Sequence, residues 1–286
     1  MVQEARRKFI IGVMGATIGA LATYIGLKPS LARLHGLEFA EKIPWEKNLL
    51  RALKFLLESQ YNPNLKLCRE GTQGVAASTY WLLSDNLLAS KVFQYFRLHD
   101  VSDTISRELT RRNWIRNNFH EILFGLNIDF PPRVERVIEV EAGPNYRILT
   151  EYHDGAVFSD YDQYADLSIY GVLHHLRNDA KDLALEIYNN VLSMWDGLGL
   201  RDKVAKEKNI YSTYKLALLL YASSLLEKNF EFRSDLENRI WNKQQRDDGG
   251  IITDYDINGF PTGDANTETT SLSILAYTNS YKPFIH

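Results

Sequence analysis

The sequence predicts an all-α fold, a ring of helical hairpins carrying one small β-hairpin and preceded by an N-terminal apolar helix. Two contrasting helices and one strand pair predict it. The segment 212–227 (STYKLALLLYASSLLE) is apolar nearly all round between Leu216 and Ala222, as a helix buried on every side must be. The segment 101–123 instead carries Arg107, Glu108, Arg111 and Arg112 on its surface, the pattern of an outer helix with one wet face. Inner and outer helices in alternation point to hairpins in a ring. Segments 134–141 and 146–152 alternate about Gly143-Pro144-Asn145, as a β-hairpin does.

The remaining elements follow in order. From 44 to 60 the residues Leu49, Leu50, Leu53, Phe55, Leu56 and Leu57 recur at helical spacing, and Asn62-Pro63-Asn64 ends that helix. A second helix is expected over 75–96 and a third over about 102–123, before Pro131-Pro132 breaks the pattern. Further helices are expected at 161–176, 179–195, 231–245 and 264–281. The chain divides into an N-terminal segment, 1–35, and one helical domain, 36–286.

Segment 9–27 (FIIGVMGATIGALATYIGL) carries no charge and follows Arg6, Arg7 and Lys8. As a helix it would span roughly 28 Å, close to a bilayer core. Three readings stand: an uncleaved membrane anchor, a cleaved signal, or, third in rank, a buried soluble helix. Arg6-Arg7-Lys8-Phe9-Ile10 resembles the twin-arginine export signal, and Ser30-Leu31-Ala32 is a small-x-small cleavage site. Either of the first two places the domain outside the cytoplasm, membrane-anchored or exported.

Composition removes several functions. Among 286 residues, 33 Lys plus Arg face 36 Asp plus Glu, a net charge of −3 with no basic stripe, which argues against nucleic acid as a partner. One cysteine, Cys68, excludes a disulfide framework and a cysteine-built zinc site. No Gly-rich phosphate loop, Gly-x-Ser-x-Gly or His-Glu-x-x-His is present, so kinase, serine hydrolase and zinc protease readings lack support. No cofactor and no metal centre are expected.

Two segments echo each other. Leu56-Leu57-Glu58-Ser59-Gln60 ends one helix, and Ile240-Trp241-Asn242-Lys243-Gln244 ends another. The second continues Gln245-Arg246-Asp247-Asp248-Gly249-Gly250-Ile251, which resembles the Gln-x-x-Asp-Gly-x-Trp repeat of the α/α-toroid superfamily, with Ile251 where the repeat has Trp. That superfamily includes terpenoid cyclases and protein prenyltransferases, and the same hairpin ring occurs in (α/α)-barrel glycosidases. The resemblance implies a toroid with a central cavity; the chain has room for about four hairpins, which leaves the ring small, open or closed by the β-hairpin. The Gln would bond free backbone groups where an outer helix hands over to an inner one.

Candidate chemistry lies on the inner helices. Asp85 shares an apolar face with Trp81 and Leu88. A carboxylate there either bonds a neighbouring helix end or serves as a general acid whose pKa burial raises. Glu268 shares its face with Leu272, Leu275 and Ala276; it either stabilises the helix dipole or completes a carboxylate pair with Asp85 for glycoside hydrolysis. Tyr80, Trp81, Asp160, Asp166, Tyr214, Lys215 and Asp248 are candidate substrate-binding residues, since aromatic rings stack on sugars and acids bond hydroxyls. Lys215 would neutralise an inward acid. Glu70 is a further acid. Asp254-Tyr255-Asp256-Ile257-Asn258-Gly259 opens like a calcium loop, but position twelve is Ala265, and a plain hairpin or turn on Asn258-Gly259 explains it.

These residues suggest an extracytoplasmic carbohydrate-processing or carbohydrate-binding protein, with a glycan as ligand. The rival is a non-catalytic accessory or structural subunit of a membrane complex, held through 9–27. An isoprenoid-handling toroid is the third reading, disfavoured because the acids are spread over several loops.

Overall fold

The computed structural model describes residues 44–71, 80–114, 119–126 and 128–281. Helix α1 (Glu46–Phe55) runs through a π-helical turn, Leu56–Gln60, into the short pair β1 (Tyr61–Asn62) and β2 (Leu67–Cys68). Strand β3 (Tyr80–Leu82) leads directly into α2 (Leu83–Tyr95), and α3 (His99–Arg111) packs against α2. The short α4 (His120–Leu123) precedes two long antiparallel strands, β4 (Arg133–Gly143) and β5 (Tyr146–Val157). Helices α5 (Ala165–Arg177) and α6 (Lys181–Leu192) form a hairpin. Then come α7 (Lys203–Lys208), β6 (Ile210–Ser212) and α8 (Thr213–Leu225). Helix α9 (Arg233–Asn238) passes through a second π turn, Arg239–Lys243. The hairpin β7 (Ile252–Asp256) and β8 (Pro261–Ala265) delivers the chain to α10 (Thr267–Tyr281).

The all-α toroid expectation is overturned. The described residues are about 52% helical and mixed α/β, with one two-stranded and two three-stranded sheets. Strand β5 lies between β3, which it pairs in parallel, and β4; β7 lies between β6 and β8. Two of the unanticipated strands, β3 and β6, have three residues each and run straight into helices. Alternation cannot show in three residues, so helical spacing absorbed them. The expected helix over 102–123 ends at Arg111. Against the membrane-helix expectation, no helix among the described residues is long and apolar enough to cross a membrane. Segment 9–27 and the 1–35 unit lie outside those residues.

The core explains which helices are apolar. Helix α10 packs between α8 and α2, and α8 also meets α5. Every residue of α10 from Thr267 to Thr278 is buried, although half are serine or threonine. Several of those hydroxyls bond backbone: Thr267 Oγ1 donates to the Arg69 carbonyl at 2.6 Å, and Ser273 Oγ to that of Thr269 at 2.8 Å. Asn266 caps the helix, its Oδ1 accepting from the Thr269 N–H at 2.8 Å.

The echoed segments adopt the same local structure. Gln60 and Gln244 each close a π turn, and both are buried. Each carbonyl accepts from the strand or bridge that follows, Arg69 N at 3.0 Å and Ile252 N at 2.9 Å. Gln245 bonds backbone across the handover, its Nε2 reaching the carbonyls of Asn48 at 2.7 Å and Gly249 at 3.0 Å. Gly249 has φ +96°, and a Cβ there would stand 2.1 Å from the Arg51 carbonyl oxygen, so only glycine fits. At 254–259 the Asp256 carboxylate accepts from the N–H groups of Asn258 and Phe260, both at 2.9 Å, which closes the β7–β8 turn.

Candidate functional site

Four long helices begin around one small pocket. Asp85 is the third residue of α2, Asp166 the second of α5, Tyr214 and Lys215 the second and third of α8, and Glu268 the second of α10. Their positive helix ends favour anionic groups in these first turns. Strands β3, β6 and β8 set the starting points of α2, α8 and α10.

The pocket is a partly open cavity of about 90 Å³. Glu151, His153, Asp166, Glu207 and Glu268 line it together with Glu135, His120, Lys208 and Lys215. Its aromatic wall is Phe119, Phe158, Tyr164, Tyr170 and Tyr214. Glu151 and His153 are two apart on β5, so both point to one face, and His153 pairs in register with Glu135 of β4. Phe119 lies over the His153 ring with centroids 3.8 Å apart and stacks on Tyr170 at 5.0 Å.

Behind the wall is a buried group of acids. The ligand atoms of Asp85, His120 and Glu268 all lie within 4.8 Å of one another, and all three residues are buried. His120 Nε2 is 3.2 Å from Glu268 Oε1. Ser84 donates its hydroxyl to Glu151 Oε2 at 2.5 Å. Asp85 is fully buried; among the described residues no N–H group donates to its oxygens, and the Glu70 carboxyl group is hydrogen-bonded to it. Burial first, then the carboxyl group of Glu70 and the charges of Glu268 and Glu151, push the Asp85 pKa well above the usual carboxylate range.

Lys215 crosses beneath α5. Its ammonium is 2.5 Å from Asp202 Oδ2 and 3.6 Å from Asp166 Oδ1. Burial alone would lower its pKa, but Asp166, Asp202 and Asp254 outweigh that and hold it above the ordinary lysine value. Asp202 also accepts from the N–H groups of Ala165 at 3.1 Å and Ala205 at 3.0 Å, so one carboxylate fixes the starts of α5 and α7 and anchors Lys215 of α8. Tyr214 donates its hydroxyl to Asp166 on the pocket wall.

The chain matches no family model, no curated protein and no solved structure. What the site can do follows from its own residues.

Of the residues singled out in the sequence, Glu268, Asp166, Tyr214 and Lys215 meet on the pocket wall, and Asp85 stands directly behind Glu268. The others are elsewhere. Tyr80 and Trp81 are buried in β3, the first under Arg147 and the second edge-on to Tyr146. Asp160 pairs with Lys203 at 2.6 Å. Asp248 accepts from the Gly250 N–H at 3.1 Å and pairs with Arg246 at 3.0 Å, so it belongs to the turn. Sequence reasoning missed His120 and Glu151. The period-two placement of Glu151 with His153 on β5 was the available signal.

Proposed function

We propose that the pocket binds and processes a carbohydrate. The observation that carries this is the combination on one small wall of ionisable carboxyl groups with a run of aromatic rings. Sugars present apolar ring faces that stack on aromatics and hydroxyls that donate to carboxylates. Tyr164, Tyr170 and Tyr214 supply the faces; Asp166, held by Tyr214 and Lys215, supplies an oriented acceptor.

Glu268 and Glu151 are the carboxyl groups that meet the ligand. Asp85, which the pocket does not touch, acts through Glu268 as a positioning residue. Two wall carboxyls flanking one bound unit are the minimum for acid and base assistance at a glycosidic bond.

A glycan screen with the full chain, followed by reducing-sugar release on whatever binds, tests this. Glu268→Gln and Glu151→Gln should each lower turnover at least about 100-fold while leaving thermal unfolding near wild type. Binding to no glycan, or variants as active as wild type, would reject the reading.

A further inference from the structure

We propose that Asp85, His120 and Glu268 hold a divalent transition-metal ion at the floor of the pocket. The three side chains come from three helices, α2, α4 and α10, and converge although they are 35 to 183 positions apart in the chain. Their ligand atoms lie within 4.8 Å of one another, so small side-chain adjustments would bring all three to the roughly 2.0–2.2 Å of a zinc–ligand bond. Each is at most 5% exposed.

Asp85 makes the strongest demand for a ligand. It is wholly buried, and among the described residues no N–H group donates to either oxygen; the group that hydrogen-bonds it is another carboxyl, that of Glu70. Glu70 and Glu151 add negative charge around it. The nearby ammonium of Lys215 is engaged by Asp202 and Asp166. A divalent ion would neutralise this group of buried carboxyls, which otherwise hold a proton among them.

The donor set narrows the ion. One imidazole with two carboxylates suits Zn²⁺ or Mn²⁺, whereas Ca²⁺ and Mg²⁺ favour all-oxygen cages. Three protein ligands leave coordination positions open, and His120 and Glu268 both line the pocket. A bound unit carrying adjacent hydroxyls or a carboxylate could occupy those positions. Glu151, held by Ser84, stays on the wall outside the set.

The inference goes beyond the carbohydrate reading, and its test uses no sugar. The chelator-stripped full chain is titrated calorimetrically with Mn²⁺ and with Zn²⁺, and bound metal is counted by mass spectrometry. One ion per chain is expected. Asp85→Asn and His120→Gln should each weaken binding at least about tenfold, and Asp160→Asn, at a surface ion pair, should leave it unchanged. On the wild-type chain alone, bound Mn²⁺ should show nitrogen coupling by electron spin-echo spectroscopy from the His120 ring. No binding at about 1 mM ion, equal affinity in the Asp85 and His120 variants, or Mn²⁺ lacking nitrogen coupling would overturn the site. Metal bound without any glycan partner rejects only the carbohydrate reading; glycan bound and processed by the stripped chain, with no ion taken up, rejects only the metal site.

Discussion

Replacing Lys215 with methionine should cost the fold about 3–5 kcal/mol, because it strands a buried carboxylate. Asp202 is 1% exposed, and its Lys215 partner is 2% exposed. Methionine fills similar volume, so the loss isolates the charge from the packing. Asp202 would keep its two backbone donors but lose the ammonium at 2.5 Å. The double variant Lys215→Met with Asp202→Asn should recover part of the loss. Urea unfolding measures both, and a loss under about 1 kcal/mol in the single variant would refute the assignment.

The same ion pair fixes a pH dependence. Three aspartates hold the folded-state pKa of Lys215 above its unfolded value. A raised lysine contributes fully below the unfolded value and loses its contribution as pH rises through the folded one. The margin of wild type over Lys215→Met should therefore stay level from neutrality to about pH 10 and shrink only above it. A margin already falling near pH 8 would contradict the ion pair.

Asn86→Leu should be the second large loss, about 2–4 kcal/mol. Asn86 is fully buried and uses its whole amide: Oδ1 accepts from the Cys68 N–H at 2.6 Å, and Nδ2 donates to the carbonyls of Cys68 and Leu82, both at 2.8 Å. Leucine has nearly the same size but leaves three backbone groups without that partner, at about 1–3 kcal/mol for each that stays dry. Asn86→Asp keeps the acceptor and loses both donations, so it should also destabilise. Equal urea midpoints for wild type and Asn86→Leu would show that the backbone groups find water instead.

Parts of the site were legible in the sequence for a definite reason. Asp85 and Glu268 stand out because helical periodicity puts each on a face otherwise made of hydrocarbon. The same argument marked Lys215 as the partner of an inward acid, and it pairs with Asp166 and Asp202. Asp160 and Asp248 sit beside aromatic or glycine-rich segments of similar composition, but their carboxylates serve an ion pair and a turn. Composition cannot separate a rim acid from a capping one. His120 was hidden because 101–123 reads as one outer helix, whereas Arg111 ends the first helix and α4 starts afresh at His120. The sheets were hidden by length in β3 and β6. In β7 and β8 the burial pattern is mixed, and Asp, Thr and Gly supply most side chains, so no apolar alternation marks them.

The backbone of Cys68, clamped on both sides by Asn86, carries the chain's lone sulfhydryl. That sulfur is 0% exposed, lies 4.0 Å from the Leu56 carbonyl oxygen, and has its pKa driven upward by burial. An alkylating reagent meets neither a thiolate nor an open path until β2 parts from α2 and the first π turn. The rate at which intact protein takes up such a label is thus a built-in clock for the opening of that seam, readable by mass without any engineered probe.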